Sequence, residues 1–487
     1  MVEPMSNGCV MRFFFQLGLA LLSCIVLEGA AAAPAPAARD VVGERLDAMR
    51  PPLPAARPSQ PVTLQTAVPK PAEGTPPPSV TPSAPATDPR PQAKPIPSEP
   101  PNAITISQDP RPTLDAETFI NTMRAAWDYK RIAENGGWPT LPPGTVLKAG
   151  DKGPLVVTLR QRLAREGDLP ADKVTGETYD RDLTAAVKRF QARHGLSESG
   201  AVRAKTLQAL NVPALTRHRQ LAASAQRLMG SSFPFGGRYV VVNIPSAAVE
   251  AVENGEVTRR YVAVVGKPDR PSPMVETRIT AVNLNPTWTV PVSLIKKDII
   301  PRMRTDPTYL AKMKIRILDG KGQEIDPQTL DWSTQSATNY TLRQDPGAIN
   351  SLGQIRIDMP NREAVYMHDT PTKRLFAQDA RFHSSGCVRV ADVNGFVEWL
   401  LRDTAGSAGP WTRSSIEAAI ATNARQDIRL EKPVPVAWVY LTGYATRDGT
   451  VHFRDDAYGL DEPKAEPVPE APILDVSATS SLVPKRR

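Results

Sequence analysis

The chain has 487 residues, 50 prolines and a formal net charge of +8. This length argues against a single small domain and predicts about two to four domains. The basic balance favours an anionic partner, but the sequence holds no nucleic-acid-binding motif, so nucleic acid is not an expected partner. A solvated, slightly basic surface is the alternative explanation of the charge.

Residues 1–33 have the pattern of an export signal. Arg12 precedes an apolar run, FFFQLGLALLSCIVL, and small residues follow that run. A basic start, an apolar core and small exit residues are typical of a secretory signal, so we expect export to the periplasm. Two alternatives stay open: an uncleaved anchor through residues 12–27 that tethers the chain to the inner membrane, and a lipid-modified Cys24.

Two segments have compositions that oppose folding. Residues 34–113 hold 22 of the 50 prolines, among Ala, Ser, Thr and Gln. Such a segment cannot bury enough apolar surface to offset its chain entropy, so we expect a disordered linker. Residues 461–487 are again rich in Pro, Glu and Ala, and we expect a disordered tail.

The first folded part is predicted to be helical. Residues 114–144 form a helical segment with apolar spacing through Phe119, Met123 and Trp127, and Gly and Pro then end it. Residues 145–213 predict three short helices in one compact domain, and residues 214–237 predict a linker helix. The apolar positions that define the three helices are Val156, Leu159, Leu163, Leu183, Val187, Phe190, Leu207 and Leu210.

From residue 238 the pattern changes to strands. Asn254-Gly255 lies between two alternating runs, which is a strong hairpin signal. The region 238–403 is predicted to be β-rich, with an insertion at about 292–340 that contains a basic amphipathic stretch. Residues 404–460 form a C-terminal extension with further strands, which include QDIRL and PVAWVYL.

The stretch RFHSSGCVRV (381–390) carries a lone cysteine. If Cys9 and Cys24 are lost with the signal, Cys387 is the only cysteine of the mature chain, which excludes an internal disulfide. A lone exported thiol is either buried and inert or kept for its reactivity. We expect no zinc, other metal or cofactor, because no second cysteine remains and the five histidines lack metal-site spacing.

The residues around this cysteine suit a nucleophile. A nucleophilic cysteine needs a base, exposure and hydrogen-bond donors for the oxyanion. Ser384, Ser385 and Gly386 are small and permit a tight turn whose N–H groups face a substrate. Arg389 adds a positive charge that lowers the thiol pKa or binds a substrate carboxylate.

Two histidines are candidates for the base. His368 follows a predicted strand directly, whereas His383 belongs to the turn itself. His368 is favoured, because the partners of a Cys/His site usually come from separate segments.

Here the sequence resembles a known family. YMHDTP (366–371) followed by RFHSSGCVRV is similar to the active-site signature of L,D-transpeptidases with a YkuD-type catalytic domain. NPTWTVP (285–291) and RQDPGAINSLGQIRIDMPN (343–361) resemble the longer members of this family, which carry a substrate-capping insertion. Residues 145–213 resemble the small helical peptidoglycan-binding domain of cell-wall enzymes. The resemblance covers roughly residues 114–455.

This resemblance implies an α+β multidomain fold. It consists of a mixed β-sandwich catalytic domain with a capping insertion, plus the small three-helix domain. Cys387 would be the nucleophile and His368 its base. The group that orients His368 stays open; a backbone carbonyl is favoured over the Asp369 side chain, which is expected to belong to a turn. The oxyanion site would use the N–H groups of Gly386 and Cys387 and the hydroxyl of Tyr366.

Other positions receive weaker implied roles. Arg389 and Ser384 would contact substrate, and Trp288 is either a substrate platform or part of the core. Many family members have histidine two places before the cysteine, where this chain has Ser385. His383 and Ser385 are therefore expected only to line the site.

The implied reaction is acyl transfer on peptidoglycan. The thiolate would attack the third residue of a tetrapeptide stem, release D-Ala and pass the acyl group to an amine, which forms a 3→3 cross-link. The acceptor stays open between a second stem, a lysine of an envelope protein and a free D-amino acid, and water would give a carboxypeptidase.

Two other functions fit the sequence less well. A papain-like hydrolase places its cysteine before its histidine, the reverse of the order here. A wall-binding scaffold with an inert catalytic domain would have lost Cys387 or His368.

Overall fold

The computed structural model describes residues 107–406 and 409–462. The predicted signal or anchor, residues 34–106 of the predicted linker and residues 463–487 of the predicted tail lie outside these residues. The end of the predicted linker, residues 107–113, is ordered: the Val257 N–H donates to the Pro110 carbonyl at 2.7 Å, and Thr113 is buried against Glu250. Within the described ranges, no helix combines the length and apolarity that a membrane crossing needs.

Helices and strands alternate in blocks along the chain. The helices are α1 (Thr118–Glu134), α2 (Pro154–Ala164), α3 (Arg181–Arg193), α4 (Ala204–Leu210), α5 (Ala214–Leu228), α6 (Val292–Leu294), α7 (Ile300–Thr305), α8 (Tyr309–Lys312), α9 (Val393–Leu401) and α10 (Arg413–Ala421). The strands are β1 (Arg238–Asn243), β2 (Ala248–Glu253), β3 (Glu256–Gly266), β4 (Val275–Leu284), β5 (Trp288–Thr289), β6 (Ile315–Leu318), β7 (Glu324–Ile325), β8 (Thr341–Gln344), β9 (Ile355–Asp358), β10 (Met367–His368), β11 (Phe382–Ser384), β12 (Val388–Val390), β13 (Ala405–Gly406), β14 (Gly409–Pro410), β15 (Gln426–Val439), β16 (Gly443–Ala445) and β17 (Val451–Phe453).

Helix α1 forms as expected but buries a different face. Its buried side is lined mainly by small residues, which let it pack closely against α5. Trp127 is 64% exposed, so the predicted apolar face through this residue was wrong. Spacing alone finds large apolar residues, but it does not show which side of a helix its neighbour will cover.

Helices α2, α3 and α4 lie where the periodicity predicts them. Their apolar residues form a core of their own. Pro154 begins α2, where its missing N–H costs nothing. Asp180 caps α3 by accepting a hydrogen bond from the Leu183 N–H.

The main sheet closes on itself. Strand β3 pairs with β2 along one half and with β12 along the other, which closes the order β3-β12-β10-β9-β4-β15-β1-β2. The inner side chains pack with α9 and α10 into a shared apolar core. Asn254 and Gly255 have φ values of 51° and 80°, which suits the predicted two-residue hairpin between β2 and β3.

Strand β15 completes this sheet from the C-terminal extension. It pairs with β1 in parallel and with β4 in antiparallel fashion. The two strands predicted as QDIRL and PVAWVYL are one strand, interrupted by an irregularity between Arg429 and Val434. The catalytic sheet therefore continues to Val439, beyond the predicted boundary at residue 403.

The insertion is a small lobe with its own core. Strands β5, β8, β6 and β7 form a four-stranded sheet in that order, and the broken helix α6–α8 packs onto it. The amphipathic stretch is not one continuous helix, because a π-helical turn at Ile295–Ile299 separates α6 from α7. The predicted α+β multidomain class is confirmed.

Candidate active site

Two neighbouring parallel strands bring the histidine and cysteine segments together. Strand β10 pairs with β12, and His368 lies in register with Arg389. The Val388 N–H donates to the Tyr366 carbonyl at 3.2 Å. Cys387 therefore directly precedes β12, one position before the Met367–Val388 pair and two before the His368–Arg389 pair.

A tight turn precedes the cysteine. Gly386 has a φ of 115°, which only glycine adopts without strain. The Ser384 hydroxyl accepts from the Gly386 N–H at 3.2 Å and donates to the Cys387 carbonyl at 2.5 Å. Ser384 is 2% exposed.

This turn changes two predicted roles. The Gly386 N–H is already bound, so it lacks the free donor that the oxyanion role requires. The Ser384 hydroxyl stabilises the turn and does not face a substrate. Both corrections have one cause, because a turn this tight satisfies its own backbone groups first.

His368 is buried and held by backbone carbonyls. Its Nδ1 lies 2.5 Å from the Asp369 carbonyl oxygen. Burial, and then the charge of Arg389, lower the pKa of His368 to about 3, although the carbonyls of Asp369 and Leu352 act in the opposite direction. The imidazole is therefore neutral near pH 7, with its proton on Nδ1 and its lone pair on Nε2.

The Asp369 side chain has a separate task. Its carboxylate accepts from the Gln354 N–H at 3.1 Å and pairs with Lys373. A side chain at Gly353 would place its Cβ 2.3 Å from this carboxylate. The carboxylate thus fixes the loop before β9, while the Asp369 carbonyl orients His368.

Cys387 is a free, partly exposed thiol. Burial raises its pKa. Hydrogen bonds from Tyr366 and the charges of Arg356 and Arg389 act in the opposite direction. The sequence-based expectation for Arg389 has the right sign, but burial outweighs it, so the Cys387 thiol and the His368 imidazole are both neutral at rest.

Tyr366 links the insertion lobe to the thiol. Its hydroxyl receives a hydrogen bond from the Trp288 side chain, and burial raises its pKa, so it stays protonated. The Arg356 guanidinium lies 4.6 Å from the centre of its ring. Trp288 packs against the core of the lobe, so its indole serves both that core and Tyr366.

The outer edge of the turn carries an ion pair that sequence reasoning missed. Arg270 binds Asp298 of the insertion lobe at 2.5 Å and donates to the Ser385 hydroxyl at 3.3 Å. Ser385 and His383 are exposed, and His383 Nε2 lies 2.9 Å from the Ala380 carbonyl. Nothing in the sequence near Arg270 signals this contact, because its partners come from two distant segments.

Arg389 is a partly buried cation without an acidic partner. No carboxylate of residues 107–406 or 409–462 lies within ion-pair distance of it, whereas Arg356 pairs with Asp358 at 2.6 Å. Its Nε is buried and unbonded. Burial lowers the pKa of Arg389, and the nearby Cys387 opposes this. The site therefore offers a cation to an anionic ligand next to a thiol.

The described residues contain no group of three or more His, Cys, Asp or Glu side chains placed to hold a metal ion. The groups at the site are a thiol, an imidazole, a tyrosine hydroxyl and guanidinium ions. Together they suit nucleophilic attack on a carbonyl in an anionic substrate.

Comparison with known families identifies two domains. Residues 237–416 match the family described as "L,D-transpeptidase catalytic domain" (YkuD), and residues 152–210 match a family described as "Putative peptidoglycan binding domain". Residues 237–416 are therefore similar to L,D-transpeptidase catalytic domains and residues 152–210 to peptidoglycan-binding domains, as the resemblance implied.

Individual relatives are similar over parts of the chain. A Haemophilus influenzae protein named "Putative L,D-transpeptidase" is 32% identical over 244 residues, which are 50% of this chain and 48% of that protein. The chain thus spans about half the length of this curated relative.

Solved L,D-transpeptidases give weak structural matches. The one from Xylanimonas cellulosilytica is 18% identical, over 62% of this chain and 99% of its own, with a TM-score of 0.18. The one from Mycobacterium smegmatis is 16% identical, over 41% of this chain and 58% of its own, with a TM-score of 0.21. Scores this low support no superposition, so the domain assignment rests on the family matches.

Proposed function

We propose that this chain is a peptidoglycan L,D-transpeptidase whose nucleophile is Cys387 and whose general base is His368. The observation that carries the proposal is the parallel pairing of β10 with β12, which brings the segment of His368 beside the segment of Cys387. The catalytic-domain match supports the reaction class. Because peptidoglycan lies outside the cytoplasm, this function agrees with the export signal expected from the sequence.

The first step is acylation of the cysteine. As the sulfur attacks the carbonyl of the third stem residue, its proton passes to His368 Nε2. The low pKa of His368 makes it a weak base, so proton transfer accompanies formation of the C–S bond. The same property makes its imidazolium a strong acid, which protonates the nitrogen of D-Ala as the C–N bond breaks.

The negative oxygen formed in this step needs donors. Among the described residues the Cys387 N–H meets no acceptor, and the Tyr366 hydroxyl stays protonated beside the sulfur. We assign the oxyanion site to these two groups. Arg389, which has no acidic partner in the described part of the chain, binds a carboxylate of the stem.

The second step resolves the thioester. His368 takes a proton from an incoming amine, the amine nitrogen attacks the thioester carbonyl, and the thiol is released. A third-residue amine of a second stem gives a 3→3 cross-link, and an amine of an envelope protein would attach that protein to the wall. The helical domain at residues 152–210 would hold the enzyme on the same polymer.

Incubation with a disaccharide-tetrapeptide tests the proposal. Mass spectrometry of the wild type should show D-Ala release, a thioester on Cys387 and a dimer joined through third residues. Cys387→Ala should show none of these, and Ser385→Ala, two places earlier in the same turn, should retain them.

The other outcomes are also informative. D-Ala release without a dimer would indicate hydrolysis by water and a carboxypeptidase. An unchanged substrate together with an unmodified Cys387 would contradict the proposal.

A further inference from the structure

A tyrosine outside the matched catalytic domain contacts the structure that supports the cysteine turn. Tyr458 follows β17, more than forty residues after the family match ends at residue 416. Its hydroxyl donates to the Gly266 carbonyl at 2.6 Å and accepts from the Ser272 N–H at 3.2 Å. One hydroxyl therefore joins both ends of the loop between β3 and β4.

The ends of this loop lie very close together. A Cβ on Gly266 would approach the Ser272 nitrogen to 2.4 Å. The Gly266 N–H also donates to the Ser272 hydroxyl at 2.9 Å. Three hydrogen bonds thus join Gly266, Ser272 and the Tyr458 hydroxyl, and two of these involve the hydroxyl. The position of Ser272 therefore depends directly on Tyr458.

Ser272 in turn holds the peptide group that contains the nucleophile. Its hydroxyl donates to the Gly386 carbonyl at 2.7 Å, and the residue is 4% exposed. The Gly386 carbonyl and the Cys387 N–H belong to one planar trans peptide, so they point in opposite directions. Fixing that carbonyl toward Ser272 directs the Cys387 N–H away from it, to the side where it meets no acceptor.

The tyrosine is itself firmly placed. Its ring stacks on Tyr440 with centroids 5.1 Å apart and meets Phe382 of β11 edge-on at 5.8 Å. Its N–H donates to the Tyr440 hydroxyl at 2.8 Å, which donates to Asp456 at 2.6 Å. Because Tyr458 is held in one place, its hydroxyl fixes the positions of the Gly266 carbonyl and the Ser272 N–H.

We propose that Tyr458 is a positioning residue for the oxyanion donor: through Ser272 and the Gly386 carbonyl it sets the direction of the Cys387 N–H. This inference rests on the proposed function for its biological meaning. Its physical content, a donor for the oxyanion of any acyl group that Cys387 accepts, can be measured without peptidoglycan.

The test compares two reactions of Cys387 in the full chain. Acylation by p-nitrophenyl acetate passes through an oxyanion, whereas alkylation by iodoacetamide does not. Tyr458→Phe and Ser272→Ala should each slow acylation by about tenfold to a hundredfold and leave alkylation close to the wild-type rate. The double variant should be no slower than the slower single variant, because both changes act on one carbonyl.

Tyr239→Phe is the matched control. It removes a buried tyrosine hydroxyl that donates to the Leu114 carbonyl at 3.0 Å, also on the main sheet but outside the cysteine turn. Both of its rates should equal those of the wild type. Should Tyr458→Phe fold poorly by circular dichroism, Ser272→Ala carries the same test.

Three results would overturn the inference: unchanged acylation in folded Tyr458→Phe and Ser272→Ala, a parallel loss of acylation and alkylation, or wild-type acylation no faster than that of glutathione. D-Ala release from a tetrapeptide stem by the wild type is measured in parallel. Its absence would contradict the proposed function and leave the ester result intact.

Discussion

Buried charges are treated in opposite ways at two places in this molecule. In the helical domain, Glu166 is enclosed by Arg162 at 2.5 Å, Arg193 at 3.0 Å and the Tyr129 hydroxyl at 2.7 Å. Burial alone would raise its pKa, but the two guanidinium groups hold the pKa of Glu166 well below its usual range. The charges of Glu166, Arg162 and Arg193 are thus paired with one another.

At the candidate active site, His368, Cys387 and Arg389 form no ion pair with an acidic residue of the described ranges. Burial favours the neutral forms of both His368 and Cys387, and Arg389 has no acidic partner among the described residues. Paired buried ions fix geometry, whereas unpaired ionisable groups cost stability and are retained where a ligand or a reaction uses them. Ionisable side chains thus stabilise the fold around Glu166, whereas at the candidate active site they are available to a ligand or a reaction.

The largest expected effect is the loss of the imidazole. His368→Ala should lower the rate of D-Ala release by about 10²–10⁴-fold, because it removes the group that moves the proton. The matched control is His383→Ala, which removes an exposed imidazole from the cysteine turn and should stay close to wild type. Single-turnover thioester formation, followed by mass spectrometry, measures both. Equal losses in the two variants would contradict the assignment of the base.

The second prediction addresses the paired region. Glu166→Gln removes the negative charge, which leaves Arg162 buried without an acidic partner and Arg193 with Asp168 alone, so the free energy of unfolding should fall by about 3–5 kcal/mol. Glu198→Gln changes an exposed glutamate of the same domain and should change it by less than about 0.5 kcal/mol. Urea titration monitored by circular dichroism compares them. A Glu166→Gln protein as stable as the control would show that the cluster does not stabilise the fold.

Acid should lower the stability of the fold through the buried, neutral His368. The pKa of His368 is about 3 in the folded protein and about 6.5 when unfolded. Between these values only the unfolded chain binds the proton, so stability is lost as pH falls from 6.5 toward 3. At pH 5 this residue should lower the free energy of unfolding by about 2 kcal/mol.

His368→Gln isolates this contribution, because glutamine does not titrate. Urea midpoints at pH 7 and pH 5 should show a smaller acid loss for the variant than for wild type. The buried His194 and His452 remain in both proteins, and their effect cancels in the difference. Parallel losses in the two proteins would mean that His368 is not held neutral by the fold.

The sequence predicted what depends on local pattern. The Asn254-Gly255 hairpin, the apolar positions of α2–α4 and the segments of Cys387 and His368 all follow from short-range spacing. These features need no knowledge of distant neighbours. The sequence left open which group orients His368, although a backbone carbonyl was the favoured choice.

What the sequence did not predict depends on long-range packing. Arg270 and Ser272 reach the cysteine turn from the loop between β3 and β4, and Tyr458 binds that loop from the C-terminal extension. No local pattern marks these residues. The role of Ser384 changed because the turn uses its hydroxyl internally. Trp127 is exposed because α5 covers the opposite side of α1, which only the assembled helices determine.

The smallest expected effect is also the sharpest test of the comparison. Arg389→Met removes a partly buried cation that forms no ion pair within residues 107–406 and 409–462, so its desolvation cost disappears while its apolar stem is replaced. The free energy of unfolding should stay the same or rise by about 1 kcal/mol, opposite in sign to Glu166→Gln. The KM for a tetrapeptide stem should rise about tenfold, because a carboxylate loses its charged donor.

Arg362→Met is the control for this change, since it removes an exposed arginine that enters no ion pair within the described residues. It should alter neither stability nor KM. A large loss of stability in Arg389→Met would place Arg389 with the paired charges of the scaffold. Unchanged KM would show that the site holds its cation for something other than the stem carboxylate. Stability that holds while KM rises is the combination expected of a charge that the fold tolerates for its ligand.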